Sequence, residues 1–198
     1  MANTIEDLKR VLKGGSRTTK FAVRFSIPTA VDKLMETSDV NTLVKATSFP
    51  QMTVGQMESW IQGRKLPLPG DTEYQTTWEV TFYMDNAHKI RKQMVAWMKA
   101  IDNFQANTHS GVPADLFAEM SVAQLDSLGK TVALYTFKDV WPNMINQTDV
   151  DASQVNTLEE CMVTFSFSSW IVEGSDGSTY NTPNDGRAAS TNSTSVDQ

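Results

Sequence analysis

The chain has 198 residues, 40% of them hydrophobic and 20% charged, with a net charge of −6 and a pI near 4.9. That length suits one domain of roughly 100–200 residues with a tail, and the hydrophobic share suits a packed core rather than disorder. An acidic surface gains no affinity for phosphate backbones by releasing counterions, which excludes a DNA-gripping protein but leaves a surface along which DNA could slide.

Taken in chain order, residues 3–13 read as a short helix. Asn3 or Thr4 caps it, Ile5, Leu8 and Leu12 share a face, and Gly14-Gly15 stops it. So short a helix is marginal alone and must dock, on its own domain or on a neighbour. The start of the chain lacks the basic opening and apolar run of a signal peptide. Lys20 to Ile27 alternates as a half-buried strand ended by Pro28. Residues 28–40 form a loop or a short helical turn, and Asn41 to Phe49 a second strand closed by Pro50.

Residues 52–68 mix polar and apolar positions and contain Gly55, Gly63 and Pro67, which predicts one or two strands of an extended hairpin. Neither face is cleanly apolar, a pattern suited to contacts with other chains. The run Gly63 to Asp71 reads as a turn block. Glu73 to Met84 is the clearest strand, with Tyr74, Thr76, Trp78, Val80, Phe82 and Met84 on one face. Asp85 or Asn86 then caps a helix of about five turns. Its stripe is Ala87, Ile90, Met94, Trp97, Ile101 and Phe104, which reads as core rather than a cofactor site.

After a polar loop, Leu116–Asp126 and Thr131–Val140 make a hairpin around Ser127-Leu128-Gly129, ended by Trp141-Pro142. Leu158–Ile171 is the last strand, with Cys161, Val163, Phe165 and Phe167 on one face. Beyond Gly174 the composition turns to Ser, Thr, Asn and Asp, the signature of a flexible tail. The domain plan is thus an N-terminal helix or arm (1–19), a β domain (20–173) and a polar tail (174–198).

The residue inventory holds no catalytic constellation. His88 and His109 have no zinc-ligand spacing, and no P-loop, nucleophile elbow or dinucleotide glycine pattern appears. Glu159 and Glu160 are neighbours on a strand and point to opposite faces. The basic run His88, Lys89, Arg91, Lys92 is most simply the solvated side of a helix. The single cysteine, Cys161, reads as a buried free thiol. No run approaches the roughly 20 apolar residues of a membrane span. The expectation is a non-enzyme with no cofactor, no metal and no stable membrane anchoring, made in a cytoplasm.

Five landmarks in order carry a family likeness: KATSFP (Lys45–Pro50), GRKLPLPGD (Gly63–Asp71), WEVTFYMD (Trp78–Asp85), AHKIRKQMVAW (Ala87–Trp97) and VWP (Val140–Pro142). Over residues 20–171 the chain resembles the tail tube proteins of contractile-tailed bacteriophages, whose fold is shared with type VI secretion tube proteins. The resemblance implies a mainly β fold: two packed antiparallel sheets, a sandwich or barrel with one flanking helix, the inner sheet joining neighbours in a ring. It implies a structural virion protein whose hexameric rings stack into a hollow conduit for DNA inside a contractile sheath. Implied partners are its own copies, the sheath, the tape-measure protein, baseplate tube proteins and DNA passing without specific binding.

Carried onto this sequence, the resemblance makes Trp78, Val80, Phe82, Ile90, Met94 and Trp97 the sheet–helix core. His88 and Arg91 become a structural pair near the helix start. With Glu58 and Trp60 they are candidates for contacts between subunits, and Glu119 and Asp126 are candidate lumen-facing acids. The polar tail after residue 173 departs from the family pattern and would decorate the tube or touch the sheath. Alternatives of the same fold are a baseplate tube-initiation or tail-completion protein, or an injection-system tube subunit. A free-standing β-sandwich binding module is the reading from another class, and it predicts a stable monomer.

Overall fold

The computed structural model describes residues 5–12, 15–103, 108–109, 113–148, 150, 153, 155, 157–174 and 179–180. In chain order these form α1 (Ile5–Leu12), β1 (Phe21–Arg24), α2 (Thr37–Thr42), β2 (Val44–Thr47), β3 (Met52–Ile61), β4 (Arg64–Tyr74), β5 (Thr77–Tyr83) and α3 (Lys89–Ile101). They continue with β6 (Asp102–Asn103), β7 (Thr108–His109), a 3-10 turn (Pro113–Leu116), β8 (Ala118–Leu125), β9 (Thr131–Ile145), β10 (Glu160–Ser166), β11 (Ser169–Gly174) and β12 (Thr179–Tyr180).

Two antiparallel layers pack as an open sandwich flanked by α3. One layer is β1-β8-β9-β11-β12 and the other β9-β10-β5-β2, so β9 belongs to both. The first part of β9 pairs with β8 and β11, while Trp141–Ile145 pairs with β10. The crossing happens at a corner. Asp139 takes the left-handed conformation (φ 55°), which Asp tolerates better than most residues. Ser168, between β10 and β11, donates its N–H to the Lys138 carbonyl at 3.0 Å, and its hydroxyl hydrogen-bonds the Asp139 carboxylate.

Aromatic rings fill the space between the layers. Trp78 of β5 stacks on Phe137 of β9 with centroids 4.8 Å apart, and Phe25 meets Trp78, Phe82 and Phe165 within 6 Å. The alternation of β5 explains this: Trp78, Val80 and Phe82 are buried while Glu79 is exposed. A buried indole N–H needs an acceptor, and the two fully buried tryptophans, Trp78 and Trp97, each have one. Trp78 donates to Thr47 Oγ1 (2.8 Å) and the Ser48 carbonyl, and Trp97 donates to the Leu116 carbonyl at 2.8 Å.

Several boundaries differ from the sequence expectation, each for a physical reason. The strand expected from Lys20 to Ile27 ends at Arg24, because the Asn41 side chain accepts the Phe25 N–H at 2.8 Å. Residues 41–43 finish helix α2 rather than opening a strand. Gly63–Asp71 is not a turn block. Gln62 and Gly63 alone make the turn, both at positive φ (50° and 77°), and Arg64–Tyr74 is a strand despite Pro67 and Pro69. A two-residue turn with both φ values positive matches the twist of antiparallel strands, and Gly63 is the residue that makes it inexpensive.

Gln75-Thr76 breaks the expected strand 73–84 in two, so Tyr74 ends β4 and β5 starts at Thr77. Helix α3 has 13 residues instead of five turns, Ala87 lies exposed before it, and Phe104 falls outside the described residues. Asp85 does the expected capping from a distance, its carboxylate accepting the N–H groups of Lys89 (2.7 Å) and Ala87 (3.3 Å). Pro142 does not stop β9, which continues to Ile145, with Pro142 opposite Phe165 beside a register shift in β10. The expected single strand 158–171 is β10 and β11, split at Phe167-Ser168 by the corner. Strand pairing also passes residue 173: Thr179–Tyr180, expected in the polar tail, pairs with β11. Residues 181–198 lie outside the described residues, as do Asn3, Thr4 and Gly14.

Candidate assembly surfaces

Strands β3 and β4 pair only with each other and form a separate two-stranded arm. No residue of either strand is buried. At the root, Gln75 donates its N–H to the Gln51 carbonyl, and Gln51 donates its own to Gln75 Oε1 at 3.1 Å. Eleven residues of β4 reach about 35 Å at roughly 3.3 Å per residue.

The arm exposes apolar side chains on both faces. Opposed residues share a face, so Met57, Leu68, Leu66 and Ile61 gather on one side of the outer half. Trp60, Glu58, Lys65 and the prolines Pro67 and Pro69 lie on the other. Trp60 is 67% exposed, and Glu58 forms an ion pair across the arm with Lys65. Midway, Gly55 and Gly70 allow close backbone approach: a Cβ on Gly70 would lie 3.1 Å from the Gly55 carbonyl oxygen. An isolated two-stranded hairpin is at best marginal in water, and among the described residues no other strand pairs with this one.

Helix α1 is the second unfinished surface. Ile5, Leu8, Val11 and Leu12 are all exposed, and no residue of α1 is buried. The third comprises sheet borders: among the described residues, no strand pairs with the outer edge of β1 or of β2.

The other sequence candidates fall elsewhere. Trp78, Val80, Phe82, Ile90, Met94 and Trp97 are each at most 1% exposed. His88 and Arg91 do not pair with each other. His88 sits in the left-handed conformation (φ 53°) with Nε2 3.5 Å from Glu159 Oε2. Arg91 donates to Thr148 Oγ1 at 3.0 Å and to the Asn146 carbonyl, so both side chains tie α3 to the segment before β10. They line an open hollow of about 820 Å³ together with Leu34, Lys92, Val95 and Lys99.

Glu119 is exposed on β8, beside a small hollow it shares with Lys138 and Asp139. Asp126 is engaged locally, its Oδ1 accepting the N–H groups of Leu128 (2.7 Å) and Lys130 (2.9 Å) in the β8–β9 turn. Arm and helix candidates are therefore separate groups, and Glu58 and Trp60 share one face of the arm.

Two electrostatic features complete the picture. Burial pushes the Cys161 thiol above its ordinary value, with the Arg91 guanidinium opposing that rise. Lys45 is raised by its hydrogen bond to Glu160. Among the described residues no group of three His, Cys, Asp or Glu side chains could hold a metal ion, and no helix is long and apolar enough to cross a membrane.

Sequence reading missed Gln93, a buried amide on the core face of α3. Its Oε1 accepts the Leu34 N–H at 2.6 Å and its Nε2 donates to the Asp32 carbonyl, which fastens the 28–36 loop to the helix. The reach of the arm to Tyr74 was also missed. Its signal was the Gln62-Gly63 pair between two strand-like runs.

Comparison with known proteins agrees with this architecture. The family model described as phage tail tube protein matches residues 16–173. The chain is 25% identical over 162 residues to a tail tube protein of Serratia phage KSP90, covering 81% of this chain and 91% of that one. A chain of the sixfold-symmetrised baseplate of the anti-feeding prophage superposes with a TM-score of 0.54 at 15% identity, covering 78% of this chain and 93% of that chain. A chain of the extended sheath–tube complex of the extracellular contractile injection system PVC gives 0.51 at 10% identity, covering 87% and 99%. With the family model spanning the sandwich from β1 to Glu173 of β11 together with its arm, this chain belongs to the phage tail tube proteins and is a structural subunit of a phage tail.

Proposed function

We propose that six copies close into a ring through the borders of the β1-β8-β9-β11 layer, and that rings stack into a hollow tube inside a contractile sheath. The observation that carries this reading is the open edge of β1 on a well-packed sandwich. An unpaired edge is an aggregation hazard in a monomer, and in a closed ring the same edge becomes the joint. The sixfold symmetry of the anti-feeding prophage baseplate, which contains a chain of this fold, supports the ring number. A ring of many strands leaves an open channel, and the net charge of −6 suits a lumen through which DNA passes without sticking.

In this reading the subunit is made in the host cytoplasm and ends in the virion tail. Its partners are the sheath, the tape-measure protein and the baseplate tube proteins, with no enzymatic role and no stable membrane anchoring. Residues 20–173 supply the ring, and the N-terminal segment (1–19) and the β3–β4 arm reach neighbouring copies. The segment after residue 173 decorates the outer surface. His88 and Arg91 brace the helix at the subunit boundary, and Glu119 supplies lumen charge, with Asp126 nearby in its turn. Negative-stain microscopy of the purified chain tests the reading: smooth hollow tubes support it, and dispersed monomers at every concentration overturn it.

A further inference from the structure

The two edges of the β3–β4 arm are chemically unequal. Antiparallel pairs alternate between those that exchange N–H···O=C bonds and those whose backbone groups point outward. The two-residue turn fixes the phase: Ile61 and Arg64 flank it and form a bonded pair, so Trp60–Lys65, Glu58–Pro67 and Gln56–Pro69 are outward-pointing pairs. The prolines give the same phase independently, because a proline within a ladder must turn its nitrogen outward. The outer edge of β3 therefore offers N–H donors at Gln56, Glu58 and Trp60. At the matching positions of β4, Lys65 offers one, and Pro67 and Pro69 offer none.

We propose that the arm is a one-edged connector, in which the outer edge of β3 accepts a strand from a second copy of this chain while Pro67 and Pro69 bar the β4 edge. This rests on the self-assembly reading above. Two observations favour a second copy as occupant. With the β1 border taken by the ring joint, the body still carries an unpaired edge at β2. Met57 and Ile61, on β3 itself, flank the arm's edge with exposed apolar surface that strand addition would cover. One usable edge makes the joint directional, each arm engaging one neighbour, as a repeating head-to-tail assembly requires.

Three variants of the full chain test the assignment by negative-stain microscopy and sedimentation. Glu58→Pro removes one outward donor and leaves the internal ladder intact. Glu58→Gln removes the ion pair with Lys65 and keeps the donor. Pro67→Thr with Pro69→Thr restores the donors of β4. The expected results are loss of tubes in E58P, tubes like the wild type in E58Q, and side-to-side bundling in the double variant. Tubes from E58P overturn the β3 edge, and unbundled tubes from the double variant overturn the role given to the prolines. A wild-type chain that never polymerises overturns the self-assembly reading together with this one. Residue-resolved hydrogen exchange on wild-type tubes decides the matter even if E58P misfolds. Slow exchange at Gln56, Glu58 and Trp60, lost on dispersal, supports the edge, and fast exchange in intact tubes overturns it.

Discussion

Trp78 and Trp60 occupy regular antiparallel strands of the same chain, yet one is 1% exposed and the other 67%. Around Trp78, two layers, a helix and two hydrogen-bond acceptors leave nothing unsatisfied. Around Trp60 there is a single hairpin with water on both faces. The body is stabilised within one polypeptide, whereas the arm carries comparable side chains with no intramolecular counterpart. On the assembly reading proposed above, stability and assembly are encoded in different segments, and mutations should separate them.

The largest separation is expected at Trp78. Trp78→Ala removes a stacked ring from the centre of the sandwich and should cost about 3–5 kcal/mol, read as a lower denaturant midpoint. A midpoint within experimental scatter of the wild type would break the contrast between body and arm. Gln93→Ala comes next: it removes a buried amide and strips the half-buried Leu34 N–H and Asp32 carbonyl of their partner, for about 1 kcal/mol. Loosening of the 28–36 loop in hydrogen exchange would accompany it.

A smaller effect should follow pH. The folded chain holds the Cys161 thiol above its ordinary value, so the unfolded chain loses this proton first as pH rises. The stability linked to this group is intact below pH 9 and lost as pH climbs through the folded value. Lys45 adds a loss of the same sign at still higher pH, since its proton too is held more tightly in the fold. Denaturation midpoints measured from pH 8 upward should therefore fall, and Cys161→Ala should flatten the first part of that decline. The smallest effect belongs to Trp60→Ala, within about 0.5 kcal/mol for the dispersed subunit because the side chain is exposed. The same variant should impair polymerisation, and an unchanged tube yield would show that the arm tip is not a joint.

The parts legible in the sequence were those governed by short-range periodicity on a buried face. Trp78, Val80 and Phe82 alternate, Ile90, Met94 and Trp97 recur at helical spacing, and Cys161 to Phe167 alternate again; all of these lie in the core. The boundaries set by long-range geometry were not legible. Pro142 looked like a stop, yet it sits where β9 meets a register shift and its missing N–H does no harm. Phe167-Ser168 looked like continuous strand, and the corner that bends it is made by Lys138 and Asp139, some 30 residues earlier.

For the candidate site, the sequence read the arm as one or two strands of an extended hairpin, and its length was hidden by Pro67 and Pro69, residues that normally argue against a strand. His88 and Arg91 stood out as a motif. Their partners, Glu159, Asn146 and Thr148, lie too far along the chain for any local pattern to supply them.

The corner at Lys138–Asp139 has a mechanical consequence. Because β9 runs unbroken from one layer into the other, a pull on the border of the β1 layer is conveyed to the β5–β10 layer along peptide bonds as well as across packed side chains. Sliding one layer over the other would require unzipping β9 from β10 or from β11, so shear meets backbone hydrogen bonds in addition to dispersion forces. A particle that must survive sudden axial load gains stiffness from such a splice without adding mass.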